Sequence, residues 1–123
     1  MNQIDRLFEI VATYDKFGWS LRRVLLTPDT ASSCAEREHA LFAEAAVADS
    51  TIDALWFSRP SHDKREAWEL RLISETPYAL FETFESDETE EQREDLRREM
   101  EASMRDHVTR RTDSDPSSES IAD

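Results

Sequence analysis

Residues 52–84 read IDALWFSRP (52–60), SHDK (61–64), REAWELRLIS (65–74), ETP (75–77) and YALFETF (78–84). Three runs rich in aromatic and aliphatic residues, separated by short polar turn segments, predict a three-stranded antiparallel meander. Trp56, Trp68, Phe57, Phe81, Phe84 and Tyr78 all fall in this block, so much of the apolar area available for a core sits here. If Pro60 to Lys64 form the first loop, residues whose numbers sum to 124 face one another. Trp56 then lies opposite Trp68, Ala54 opposite Leu70, and Asp53 opposite Arg71. A slip of one residue would send one indole to the other face, so the expected register is this one or another that keeps both Trp together. Trp56 occupies one face of the first strand and Leu55 and Phe57 the other. A strand apolar on both sides needs cover on both sides, from two helices or from a partner subunit.

Upstream, Ile4, Leu7, Phe8, Val11 and Tyr14 recur at helical spacing, with Asp5, Arg6, Glu9 and Asp15 on the opposite side. Gly18 is the only glycine in the chain. Its place just after this periodic run predicts a helix stop in the left-handed region. Residues 19–26, WSLRRVLL, read as a strand that ends at Thr27-Pro28. Residues 29–51 are the least patterned. Asp29, Thr30 or Ser32 are available as caps, and an Ala/Glu-rich helix over about 35–45 is the expectation. A loop crossing the sheet edge with a short strand near Val47 is the alternative.

Downstream of Phe84 the chain becomes charged at most positions, yet Leu96, Met100, Met104 and Val108 repeat every four residues. That is one narrow apolar stripe on a long helix, expected to pack on the sheet of its own domain. Thr89 and Gln92 have the spacing of a capping box, and the Glu-rich first turns suit the positive helix N-terminus. Glu94–Arg98 and Glu101–Arg105 stand in the favourable i,i+4 order. The last residues, TDSDPSSESIAD, have the composition of a disordered acidic tail. The expected fold is therefore α+β: an antiparallel sheet of three to four strands packed by an N-terminal helix and a long C-terminal helix. One domain over 1–110 carries it, with a tail over 111–123.

At 123 residues the chain is long enough to bury one core without staples. A single cysteine, Cys34, allows no intramolecular disulfide. The first ten residues, MNQIDRLFEI, lack the apolar run of a signal peptide, and no segment approaches the roughly 20 apolar residues that span a bilayer. A cytoplasmic protein without membrane attachment is the expectation. The formal net charge of −13 repels phosphate backbones and anionic lipid surfaces, so nucleic acid is not an expected partner. A chain with one glycine cannot contain the glycine-rich turns that bring backbone close to nucleotide phosphates.

Few residues suggest chemistry. His39, His62 and His107 lie in separate segments, without the ligand spacing of a metal site, and no cofactor is expected. Asp53 at the start of one strand with Glu69-Leu70-Arg71 on the next resembles metal-dependent nucleases of the restriction-endonuclease type. In that resemblance Asp53 and Glu69 would hold a divalent metal. Arg71 stands where the pattern has lysine, and a guanidinium is effectively always charged. This makes a small metal-dependent hydrolase or nuclease, with Asp53, Glu69 and Arg71 as catalytic residues, the alternative function. A pocket lined by Trp56, Trp68 and Phe81 is a third.

The leading expectation is a non-catalytic interaction protein: an acidic adaptor, inhibitor or immunity-type partner of a basic protein, or a homodimer. Trp19, Trp56, Arg59 and Trp68 are its candidate binding residues, because Trp and Arg concentrate at binding hot spots.

Overall fold

The computed structural model describes residues 2–34 and 45–113. Helix α1 spans Gln3–Lys16, strand β1 Ser20–Leu26, helix α2 Pro28–Ser33, strand β2 Ala46–Asp49 and strand β3 Ala54–Pro60. A single 3-10 turn, His62–Lys64, leads to β4 (Glu66–Leu72), β5 (Ala79–Phe84) and the long helix α3 (Glu90–Asp113). The strands form one sheet in the order β2-β1-β3-β4-β5.

The class is α+β as expected, but the sheet has five strands rather than three or four, and it is mixed. β1 runs antiparallel to β3 and parallel to β2. A parallel neighbour needs a crossover connection, and the chain between Leu26 and Ala46, which includes α2, supplies it. β2 reads only AVAD and all four residues are exposed, so it carries no alternating pattern. The expected helix over 35–45 falls almost wholly outside the described residues, as does the tail expected over 111–123 except for 111–113, which continue α3.

Local signals explain the helix ends. Asn2 caps α1 by accepting the Asp5 N–H at 2.8 Å. At its other end the Trp19 N–H reaches the Tyr14 carbonyl and the Gly18 N–H the Asp15 carbonyl, both at 3.0 Å. This pair of bonds is a Schellman motif, and Gly18 sits in it at φ +87°. Thr27, read as a strand terminator, also caps α2, with Pro28 at the first helical position. At the start of α3 the Thr89 N–H donates to Gln92 Oε1 (2.8 Å) and the Gln92 N–H to Thr89 Oγ1 (3.1 Å), the reciprocal bonds of a capping box.

The β3–β4 register differs from the expected one by two residues: Trp56 faces Leu70, Ala54 faces Leu72, and Ser58 faces Trp68. A shift of two preserves the faces, so both indoles remain on one side and meet edge-on with centroids 5.9 Å apart. The Asp53–Arg71 cross-strand pair is not formed, and Arg71 faces Leu55.

Helices cover both faces of the sheet. On one side Trp56, Trp68, Leu70, Leu72 and Phe84 pack with Met100 and Met104 of α3, joined by Leu96 and Val108. The four-residue stripe thus seats α3 on its own sheet. On the other side Leu7 and Ile10 of α1 pack with Val24, Leu26, Leu55, Phe57 and Ile73.

A narrow stripe on so charged a helix is reinforced by polar contacts. Arg97, only 2% exposed, lies 4.0 Å over the Trp68 ring and 5.2 Å from Phe84. It pairs with Glu90 at 2.8 Å and Glu94 at 2.9 Å. Glu94 also receives both arms of Arg23 from β1, at 2.7 and 3.1 Å. The Trp56 indole N–H donates to Glu101 (2.8 Å) and that of Trp68 to Glu66 (2.6 Å). Of the two expected i,i+4 pairs, Glu101–Arg105 is present at 3.9 Å. Arg98 pairs instead with Asp95, because Glu94 is turned towards the sheet.

Two outcomes are expected. Arg97→Ala removes both the charge and the stem packed on Trp68, and should cost about 3 kcal/mol in urea unfolding. Arg97→Met keeps most of the packing and should cost about 1 kcal/mol; equal losses would place the stabilisation in the charge rather than the stem.

The second outcome concerns acid stability. Arg23 first, and Arg97 after it, hold the Glu94 carboxyl down to about 2, against an ordinary 4.5. A lowered carboxylate stabilises the fold fully above its unfolded value, and the contribution fades as pH falls through the folded one. Between pH 4.5 and 2 the wild type should therefore lose stability more steeply than Glu94→Gln, whose melting temperature starts lower at neutral pH. Parallel curves in thermal melts over this range would count against it.

Candidate interaction surface

The sequence candidates separate into two groups. Trp56 and Trp68 are 0% and 7% exposed and belong to the core under α3. Phe81, expected beside them in a pocket, lies on the opposite face of the sheet and is 58% exposed. A pocket shared by these three residues does not form.

Trp19 and Arg59, by contrast, are brought together. The Arg59 guanidinium stands 4.6 Å over the Trp19 ring, and its Nη1 donates to the Phe17 carbonyl at 3.2 Å. The contact forms because the Gly18 turn reverses the chain after α1 and sets Trp19 at the mouth of β1. There Ser20 pairs with Ser58, the residue before Arg59. Phe81 of β5 meets the Trp19 ring edge-on at 6.4 Å and 84°.

Behind Trp19, Tyr14 packs edge-on at 6.0 Å and stacks on Phe57 at 4.1 Å. A continuous aromatic path thus runs from the buried Phe57 through Tyr14 and Trp19 to the exposed ring of Phe81; Phe17, 62% exposed, is tied to it through its backbone carbonyl and Arg59. Exposed apolar residues are ordinary when scattered singly. Here the exposed Phe81 ring packs on a half-buried indole that also carries a cation, the residue types that dominate binding hot spots.

Phe17 and Phe81 were missed as surface residues. Phe17 did carry a signal: it lies off the Ile4–Tyr14 stripe, at the helix cap, where no core position was available. Phe81 carried a weaker one, since β5 is aromatic on both of its faces.

The patch lies towards the hairpin end of the sheet. At that end Pro60 pairs with Glu66 and Glu66 with Phe84. The segment that follows, Glu85 to Glu91, contributes exposed Glu85, Asp87, Glu90 and Glu91. Two of these charges are answered: Arg65 pairs with Glu85 at 2.9 Å and Arg97 with Glu90 at 2.8 Å. The hairpin end of the sheet thus carries exposed carboxylates on the segment that leads to α3.

The residues of the nuclease-like pattern are occupied by structural bonds. Asp53 accepts from the Thr27 N–H (2.7 Å), Thr30 Oγ1 (2.6 Å) and Gln3 Nε2 (3.0 Å), tying the starts of α1 and α2 to β3. Glu69 faces Phe57, four residues along β3 from Asp53, and accepts the Tyr14 hydroxyl. Arg71 Nε donates to the Leu72 carbonyl at 3.2 Å. Among the described residues no group of three or more His, Cys, Asp or Glu could hold a metal ion. His107 is stacked on Tyr78 at 3.5 Å, where burial, Arg111 and Arg110 lower its pKa. Cys34 caps α2 and lies half-buried beside the α1 core. Among the described residues no helix is long and apolar enough to cross a membrane.

Comparison with protein-family models, with curated proteins and with solved structures finds no match for this chain.

The phenol of Tyr14 gives a local readout of this region. Burial first, and then the hydrogen bond to Glu69 and its charge, raise its pKa well above the usual tyrosine range, with Arg71 opposing. In a spectrophotometric titration, Tyr14 should ionise only as the protein unfolds in alkali. Glu69→Gln should bring that ionisation to lower pH, and an unchanged titration would show that Glu69 does not hold the hydroxyl.

Proposed function

We propose that this chain is a non-catalytic interaction module, an acidic adaptor or inhibitor, that binds a basic protein through Phe17, Trp19, Arg59 and Phe81. The observation that carries the reading is the exposed Phe81 ring packed on Trp19, with Arg59 over the same indole and bonded to the carbonyl of the exposed Phe17, on a chain of net charge −13. Helices already cover both faces of the sheet, so the spare apolar surface is this patch and not the meander as a whole. A partner suited to it presents apolar side chains at the centre and Lys or Arg around them. Acid-to-base complementarity of that kind steers encounter and excludes wrong partners more than it adds affinity.

The test is affinity capture with the whole chain and with Phe17→Ser/Phe81→Ser. Surface changes of this sort should leave the melting temperature nearly unchanged, within about 0.5 kcal/mol of stability. Two lost hot-spot aromatics should weaken a captured partner's binding by a factor of roughly 100 or more. Binding by the wild type should also fall as salt is raised. A partner held equally by both proteins, at low and high salt alike, would sink the proposal.

A further inference from the structure

The outer edge of β5 extends the aromatic patch into a place where backbone is unpaired. Leu72 N donates to the Tyr78 carbonyl at 3.0 Å, so this pair is hydrogen-bonded. The alternation of an antiparallel ladder then directs the amides and carbonyls of Leu80, Glu82 and Phe84 to β4. Those of Ala79, Phe81 and Thr83 point away from the sheet. Among the described residues the Thr83 N–H alone on this edge is engaged, by the Glu82 carboxylate at 3.3 Å. Of the devices that usually blunt an edge the strand has only the Glu82 carboxylate: Ala79–Phe84 holds no proline, lysine or arginine.

We infer that β5 takes a sixth strand, an extended segment of the partner with alternating apolar and basic residues, by antiparallel strand addition. This rests on the interaction reading above and specifies how the partner is held. Main-chain bonds to Ala79 and Phe81 supply register, and alternate side chains supply selectivity. An apolar residue beside Phe81 joins the Phe81–Trp19 surface. A Lys or Arg opposite Glu82 draws that carboxylate away from the Thr83 N–H, so the cation also uncovers a third outward donor. A second copy of the chain is a poorer occupant. Two-fold pairing centred on Phe81 or Glu82 brings the two Glu82 carboxylates diagonal or opposite to one another, where like charges destabilise, between chains of net charge −13 each.

The probe is a fluorescein-labelled nonapeptide of alternating Lys and Val, compared with its Glu/Val counterpart and with a Lys/Val peptide N-methylated on alternate residues. Fluorescence anisotropy gives affinity, and amide NMR shifts locate the contact. The Lys/Val peptide should bind the full chain and shift the Ala79, Phe81 and Thr83 amides; the Glu/Val peptide should not bind. Ala79→Pro removes an outward donor without touching the β4 ladder, and should weaken binding about tenfold, the loss expected for one backbone hydrogen bond. The N-methylated peptide keeps the charge but lacks the donors, and should bind at least as poorly, which holds even if Ala79→Pro misfolds.

Equal binding of the methylated peptide, no binding of the Lys/Val peptide, or a dimer with its Phe81 amide protected in the absence of peptide each overturns strand addition. A captured partner that survives Ala79→Pro but is lost with Phe17→Ser/Phe81→Ser overturns strand addition and leaves the interaction reading in place. Survival through both variants removes the two together.

Discussion

Arg97 is the constraint on which the arrangement of the sheet and the long helix depends. A guanidinium that is 2% exposed has lost its water, and that desolvation costs several kcal/mol unless it is answered. Two carboxylates, Glu90 and Glu94, and two aromatic faces, Trp68 and Phe84, answer it. Its Nε has no hydrogen-bond partner, so the compensation rests on these four groups. Each fixes something else. Glu94 carries the bond on to Arg23 and so to β1, while Trp68 and Phe84 belong to β4 and β5. One buried cation thereby sets the position of α3 across three of the five strands. Glu90 and Glu94, four residues apart, share one face of α3 beside the apolar stripe and so both reach the guanidinium.

That helix was legible in the sequence to an unusual degree. The Thr89/Gln92 box, the four-residue stripe and the Gly18 stop are local features, decided by contacts within a few residues, and local chemistry can be read along the chain. The hairpin register was not. Asp63 and Lys64 both adopt left-handed backbone, at φ 57° and 63°, with no glycine to mark the turn. The loop therefore centres two residues' worth of register away from the expected place. Since a shift of two preserves which face each side chain takes, hydrophobic patterning could not choose between the alternatives. β2 was less legible still. Its pairing with β1 joins segments some twenty residues apart, and its four exposed residues give no periodic signal.

The candidate surface was half legible for a related reason. Trp and Arg mark both cores and interfaces, and sequence does not separate the uses. Trp56 is buried because it stands in the central strand under α3, whereas Trp19 follows the Gly18 turn at the margin of α1, where cover runs out. Trp56 and Trp68 satisfy their indole N–H groups inside the molecule, on Glu101 and Glu66. Trp19 offers its ring to Arg59 and to Phe81. What distinguishes them is the length of the covering helix, which ends at Lys16, and that is a tertiary fact.

The acidity of the chain divides in the same way. Glu66, Glu94 and Glu101 accept bonds from buried or half-buried donors on the sheet, so part of the net charge is structural and would be wrongly assigned to solubility. Glu85, Asp87 and Glu91 have no such role in the core and lie exposed between β5 and the first turn of α3. A net charge of −13 opposes the approach of a second copy of the same sign. Carboxylates are turned inward where arginine and tryptophan hold them and lie at the surface at Asp87 and Glu91, with Glu85 held there by Arg65, so the same residue type serves the fold in one place and the solvent face in another.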